Sequence, residues 1–288
     1  MKHLHVKVAA ITGAGSGIGR ALAGELAARG CHLALSDVQP AGLADTAAAA
    51  AQRGVRVTTA IVDVADRAAV VGWAAQVARE HGRVNLLFNN AGVGLGTTLE
   101  AARPEDLAWI MGINFWGVVH GTQAFLPHLR ASGEGHVVNL SSVLGLIAAP
   151  TQGAYCASKF AVRGFTEALR LELELEGAPV SATCVHPGGV ATNIALASRI
   201  DASVTRLTGD TIEGRRRLAH EMIQVTRPEQ AARQILRGVS RNARRVLVGP
   251  DAHIIDLLSR LLGVGVCALV LRRSRALQKA RAHAAGNA

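Results

Sequence analysis

The chain has 288 residues, of which 49% are hydrophobic, 18% charged and only 3% aromatic. This composition excludes intrinsic disorder and leaves Ala, Val, Leu and Ile to build a sizeable core. The net charge of +10 is confined to the last third: residues 1–198 hold 14 basic and 14 acidic side chains, and residues 199–288 hold 17 and 7.

The first apolar run, VKVAAI (6–11), predicts a strand, and residues 17–29 predict a helix. Four glycines join them: Gly13, Gly15, Gly17 and Gly19. They fit neither G-x-G-x-x-G nor a Walker loop, but they fit T-G-x-x-x-G-x-G from Thr12. Such glycines let the backbone approach a pyrophosphate, and the helix N-terminus offers free N–H groups and a positive partial charge. The second strand, CHLALS (31–36), is followed at once by Asp37. A carboxylate there accepts hydrogen bonds from an adenosine ribose and repels a 2′-phosphate. With no Arg or Lys at Ser16, Ser36 or Val38, NAD(H) is favoured and NADP(H) is the alternative.

Helix 41–53, strand 56–62, helix 66–81 and strands 84–88, 136–140, 180–185 and 244–249 continue the pattern. The runs are apolar throughout, which predicts strands buried on both faces. Strand–helix repetition predicts an α/β fold, a doubly wound, seven-stranded parallel sheet. No linker divides residues 1–250, so one domain is expected there, with residues 251–288 as an extension.

Further motifs follow in order: Asp63-Val64 after the third strand, NNAG at 89–92 after the fourth, Asn114 in a helical stretch, NLSS at 139–142, and Tyr155-Cys-Ala-Ser-Lys159. HPGGVAT (186–192) closes the sixth strand. Together they resemble the short-chain dehydrogenase/reductase family over about residues 6–250. The resemblance implies that Tyr155 is the general acid/base, that Ser142 polarises the carbonyl, and that Lys159 and Asn114 complete a proton relay. It also implies that Gly13, Ser16, Gly17, Ile18 and Gly19 line the cofactor phosphates, and that Asp37, Asp63 and Val64 hold the adenosine half. Asn90, Ala91 and Gly92 lie near the cofactor, Tyr155 and Lys159 reach the nicotinamide ribose, and Pro187, Val190 and Thr192 border the nicotinamide. Tyr155 is the chain's only tyrosine, and Lys159 shares its helix face at i+4, where an ammonium lowers a phenol's pKa.

The activity implied is hydride transfer between NAD(H) and a secondary alcohol or ketone. Alternatives are an NADPH-dependent 3-oxoacyl thioester reductase and a non-catalytic cofactor-binding regulator. Residues 193–225 form the expected substrate cover, and Leu144, Gly189 and Ile194 the expected pocket. The apolar side chains there favour a bulky lipophilic substrate, although Arg199 and Arg206 could instead greet a carboxylate or coenzyme A phosphate.

The four cysteines lack metal-ligand spacing, and none of the 11 histidines lies in an H-E-x-x-H motif, so no metal is expected. No signal-peptide pattern opens the chain, and free thiols suit a cytoplasmic protein. A homodimer or homotetramer is expected and a nucleic-acid partner is not, for the basic excess has no DNA-binding motif beside it. Residues 254–271 read IIDLLSRLLGVGVCALVL, followed by Arg272, Arg273, Arg275, Lys279 and Arg281. Two readings stand: a packing surface, or peripheral attachment to an anionic membrane.

Overall fold

A computed structural model describes residues 3–286. In chain order the elements are β1 (Val8–Thr12), α1 (Gly17–Ala27), β2 (His32–Asp37), α2 (Pro40–Ala51), β3 (Val57–Ile61), α3 (Arg67–His81), β4 (Leu86–Asn89), β5 (Leu95–Gly96), α4 (Pro104–Met111) and α5 (Gly117–Ala131). There follow β6 (Gly135–Leu140), α6 (Gly153–Leu175), β7 (Val180–Pro187), β8 (Arg199–Ile200), α7 (Ala202–Thr208), α8 (Ile212–Met222), α9 (Pro228–Ser240), β9 (Arg245–Val248), α10 (Pro250–Leu262) and α11 (Val266–Gly286). Seven strands form one parallel sheet in the order β3-β2-β1-β4-β6-β7-β9, as expected for a doubly wound fold.

Each central strand alternates between two cores, because neighbouring side chains point to opposite faces. Ile11, Leu33, Leu35, Leu86 and Phe88 pack on one side, under α1 and α9. Ala10, Ala34, Leu87 and Val137 pack on the other, with Trp73 of α3 edge-on to Phe125 of α5. Both faces are therefore apolar, which is why the strands read as unbroken hydrophobic runs. Helix α9 buries Ala231, Ala232, Ile235, Leu236 and Val239, one stripe at helical spacing. Burying each of its larger side chains stabilises by about 1.5–3 kcal/mol. Helix α3 starts at Asp66, whose side chain accepts from the N–H groups of Ala68 and Ala69, and stops at left-handed Gly82.

The strand order reverses between β1 and β4, opening a crevice above the C-terminal strand ends. There the chain places the glycine loop, Asp37, Asp63, the NNAG turn, Ser142 and Pro187, each at or just past the end of a different strand. Beyond it, β5 and β8 pair as a separate two-stranded ribbon and tie residues 199–200 to 95–96.

Candidate active site

The turn after β1 is shaped for close backbone approach. Gly13 has φ +64°, and a methyl there would lie 2.8 Å from Ala91 Cα. A methyl on Gly19 would collide with the Gly13 carbonyl oxygen, so α1 packs onto the loop only with glycine at that position. Ser16 is the N-cap of α1, yet its side chain makes no cap hydrogen bond, which leaves hydroxyl and helix N–H groups for a phosphate. Thr192 faces this turn from the other side: a methyl on Gly17 would meet its Cγ2 at 2.9 Å.

Asp37 is held across the loop mouth. Its Oδ2 accepts from Gly15 N at 2.8 Å and its Oδ1 from Gln39 N at 2.9 Å. Arg20, absent from the sequence-based site, lies close by, but its guanidinium donates to the carbonyls of Gly15 and Gly42 and to Thr46. It braces the loop through these three hydrogen bonds. The loop and its anchored carboxylate thus suit the adenosine and pyrophosphate of NAD(H).

Asn90, expected beside a cofactor, uses its amide to stitch β4 to the glycine loop: Nδ2 donates to the carbonyls of Thr12 and Gly13 at 2.9 and 3.0 Å. Thr12 completes this brace, accepting from Asn90 N and Ala91 N on one hydroxyl. Asp63 accepts from Ala65 N at 2.9 Å, fixing the turn that carries buried Val64.

Four side chains meet above β6. Ser142 sits at its end with extended backbone, and its hydroxyl accepts from Leu144 N at 3.1 Å. Helix α6 carries Tyr155 and Lys159 on one face, with the Lys159 ammonium 5.6 Å from the tyrosine ring centroid. Lys159 is buried; its Nζ donates to the Leu140 carbonyl at 3.0 Å, and desolvation pushes it down to about 8. Burial pushes the Tyr155 phenol up to about 12, against the lowering hydrogen bond from Ser142. Without the nicotinamide, burial dominates at the phenol, and Lys159 stands beside the ring at the expected helical spacing. Ser141 supports from below, donating to the Lys159 carbonyl at 2.8 Å.

Asn114 lies in a π-helical turn (Gly112–Trp116) between α4 and α5. Its amide is fully committed: Oδ1 accepts from Val93 N, and Nδ2 donates to the Val93 carbonyl and to Ser158 Oγ. It adjoins Lys159 across Gly92, where a methyl would lie 3.2 Å from Asn114 Oδ1 and 3.5 Å from Lys159 Nζ. Three positioning residues escape sequence reasoning. Ser158 donates to the Tyr155 carbonyl at 2.7 Å, His186 Nδ1 donates to the Ser142 carbonyl at 2.9 Å, and Asp251 at the start of α10 accepts from Gly189 N at 2.6 Å.

The segment 193–225 folds over the β7 end. Ile223 and Val225 close on Gly189, where a methyl would lie 2.9–3.0 Å from them. Pro187 and Val190 are buried beneath, while Leu144 and Ile194 are half-buried. Arg199 is not available to a substrate carboxylate: its guanidinium lies 3.6 Å from the Trp109 ring centroid and 3.4 Å from Asp106 Oδ1. This cation–π contact and the β5–β8 ribbon latch the cover onto α4. Two clefts of about 370 and 480 Å³ open elsewhere, at the N-terminal ends of β6 and β7 and beside α9, and hold none of the predicted site residues.

A doubly wound sheet with a glycine turn, an anchored acid after β2 and a serine–tyrosine–lysine cluster defines a nicotinamide-dependent oxidoreductase acting on an alcohol or ketone. Residues 7–202 match the model of the short chain dehydrogenase family, and the chain belongs to that family. It is 46% identical over 263 residues to the putative oxidoreductase SadH of Mycobacterium tuberculosis, covering 91% of this chain and 93% of that one. Human estradiol 17-beta-dehydrogenase 11 is 31% identical over 268 residues, covering 93% and 83%. Among solved structures, a short chain dehydrogenase/reductase from Burkholderia phymatum in complex with NAD superposes with a TM-score of 0.83 at 32% identity, covering 91% and 95%.

Proposed function

We propose that this chain transfers a hydride between NAD(H) and a bulky, lipophilic secondary alcohol or ketone, with Tyr155 as general acid/base. The observation that carries this reading is the convergence, past the end of β6, of Ser142, Tyr155 and the buried Lys159 ammonium, which lies 5.6 Å from the tyrosine ring centroid. When bound, the reduced nicotinamide supplies hydride at its C4. Ser142 donates to the carbonyl oxygen where negative charge develops, and Tyr155 gives that oxygen its phenolic proton. Lys159 holds positive charge next to the phenolate that results, and Asn114 fixes the turn beside it.

The glycine loop with Ser16 and Ile18 holds the pyrophosphate, Asp37 the ribose, Asp63 and Val64 the adenine side, and Val190 and Thr192 the nicotinamide. Leu144, Gly189 and Ile194 shape the pocket. The apolar side chains of Leu144 and Ile194, the latch on Arg199 and the similarity to an estradiol dehydrogenase favour a bulky lipophilic substrate. Residues 1–250 form the catalytic domain and 251–288 an extension. Trp116, Phe160, Leu171 and Leu175 are exposed on the π turn and α6, and a second copy of the chain covers that face in a cytoplasmic homo-oligomer.

Absorbance at 340 nm, followed for aliphatic, cyclic and steroid ketones with each cofactor, tests the reading. Turnover of the bulky apolar ketones supports it, and preference for acyl thioesters with NADPH overturns it. In the same assay Asp37→Ser should narrow the NAD(H) preference by about tenfold or more, because it removes a charge that repels a 2′-phosphate and loosens Gly15. Equal or better efficiency with NADPH in the unmodified protein would refute the cofactor assignment.

A further inference from the structure

The chain bends sharply where α10 meets α11. Gly263 ends α10 with φ +51° and ψ −126°, one 3₁₀ turn follows at Gly263–Gly265, and α11 begins at Val266. The bend pushes apolar side chains outward: Leu261 is 72% exposed and Val264 92%, and Leu262, Leu269 and Leu271 are exposed too. From Leu261 to Leu271 no residue is charged. Arg260 precedes this stretch and Arg272, Arg273 and Arg275 follow it, all exposed; the side chains of Lys279 and Arg281 lie outside the described residues.

Residues 250–276 form a helical stretch of 27 residues long and apolar enough to cross a bilayer by length and composition, with only 11% of its most apolar window buried. Its first half is nevertheless fixed to the sheet. Buried Asp256 bonds Arg245 of β9 at 2.8 Å as well as Arg260 at 2.8 Å, and Asp251 bonds the Gly189 turn. The run from Leu261 to Leu271 points away from the domain, apart from buried Val266 and half-buried Val270. At about 1.5 Å per residue even a straight helix of this run would reach no more than ~16 Å, roughly half of a hydrocarbon core of about 30 Å. The segment is long enough to enter one leaflet and too short to span.

We propose that this apolar elbow inserts into the headgroup–acyl boundary of an anionic bilayer, with Arg272, Arg273 and Arg275 on lipid phosphates, and that it sets the substrate cover against the same surface. The uncharged tip matches acyl chains, and the three arginines that follow it match anionic headgroups. No acidic residue follows Asp256 to neutralise them. A second copy of the chain fits poorly, since two-fold pairing of this elbow would bring like arginine clusters together. The link to the cover is direct: Gln278 of α11 donates to the Leu207 carbonyl of α7 at 2.8 Å, and Leu207 is exposed beside it. The cover therefore meets the plane that the elbow enters, and a lipophilic ketone passes from lipid to pocket without crossing water. This last step rests on the lipophilic-substrate reading above; the insertion does not.

The test uses the full chain, a Leu261→Asp/Val264→Asp variant and an Arg272→Glu/Arg273→Glu variant. Co-sedimentation is measured with vesicles of phosphatidylglycerol and phosphatidylcholine and with pure phosphatidylcholine. The unmodified protein should sediment with the anionic vesicles, and each variant should lose about tenfold or more in affinity, as should the unmodified protein at about 0.5 M salt. Turnover of a water-soluble ketone should be the same in all three, because none of the changed residues touches the site, whereas turnover of a vesicle-embedded ketone should fall with binding. Equal sedimentation by all three proteins, sedimentation by none, or a change of oligomeric size in the elbow variant overturns the insertion. Vesicle binding lost in the variants without turnover of any lipophilic ketone upholds the insertion and sinks the substrate reading alone.

Discussion

Tyr155→Phe should lower turnover by about 10²–10⁴-fold, the usual contribution of a positioned general acid/base. The substitution removes one hydroxyl and keeps the ring, so the packing of Tyr155 against Leu95, Ile110 and Ala154 survives. The glycine loop and Asp37 stand on other strands, so NADH affinity, measured by fluorescence titration, should stay nearly constant. Direction of reaction adds a second readout. Burial holds the phenol up at about 12, so at neutral pH it is a proton donor, ready for ketone reduction. Alcohol oxidation needs the phenolate, and its rate in the unmodified protein should rise with pH while reduction does not. If the Tyr155→Phe variant kept more than half the original rate, another group would be moving the proton.

Much of this site could be read in the sequence because it lies on strand ends, and the strands announce themselves. A run such as VAAIT is apolar at nearly every position because Ala9 and Ile11 face one core and Val8 and Ala10 the other. Once seven such runs are placed, Asp37, Asp63, Asn90, Ser142 and Pro187 fall at the C-terminal edge of the sheet without further assumption. Contacts between distant segments were hidden. The two-residue strands β5 and β8 have no hydrophobic period of their own and exist only because the cover docks 104 residues away from its partner strand (199 − 95). The stacking of Arg199 on Trp109 turned a candidate substrate ligand into a latch. Asp251 and His186 looked like an ordinary helix start and a strand residue, and only folding brings them to Gly189 and to the Ser142 carbonyl. The electrostatic balance at Tyr155 was also out of reach. Helical spacing places Lys159 on the same face, but the cost of desolvating a phenolate depends on what α6 packs against.

Acid should begin to destabilise the protein before most of its carboxylates titrate. His136 is buried between β6 and β7, with Nε2 2.8 Å from Thr183 Oγ1; burial first, and also Arg170, push it down to about 3. His186 is buried behind Ser142, and burial pushes it down to about 4 although its bond to the Ser142 carbonyl works the other way. Its Nε2 has no protein partner, so a proton there would be buried without an acceptor. His81 is lowered too, by burial first and then by Arg56. In the unfolded chain these rings take a proton near 6.5, so below that pH the unfolded state binds more protons than the native one and stability falls. Each of the two deeply lowered histidines removes about 1.4 kcal/mol per pH unit, roughly 5 kcal/mol for the pair by about pH 4.5. That is comparable with the whole stability of many domains. Glu134, Glu167 and Glu174 are all lowered from 4.5, so their stabilising contributions are lost only below that value. The upper part of the interval between 6.5 and 4.5, down to about 5.5, is where the histidines dominate the slope. Urea unfolding at half-unit steps through it should give a free energy that falls steadily with pH. His136→Gln, which has no titrating ring, should reduce the slope by about a third to a half whatever its own stability, with His186 and His81 supplying the rest. A flat profile in the unmodified protein, or an unchanged slope in the variant, would show that the buried rings do not govern acid unfolding.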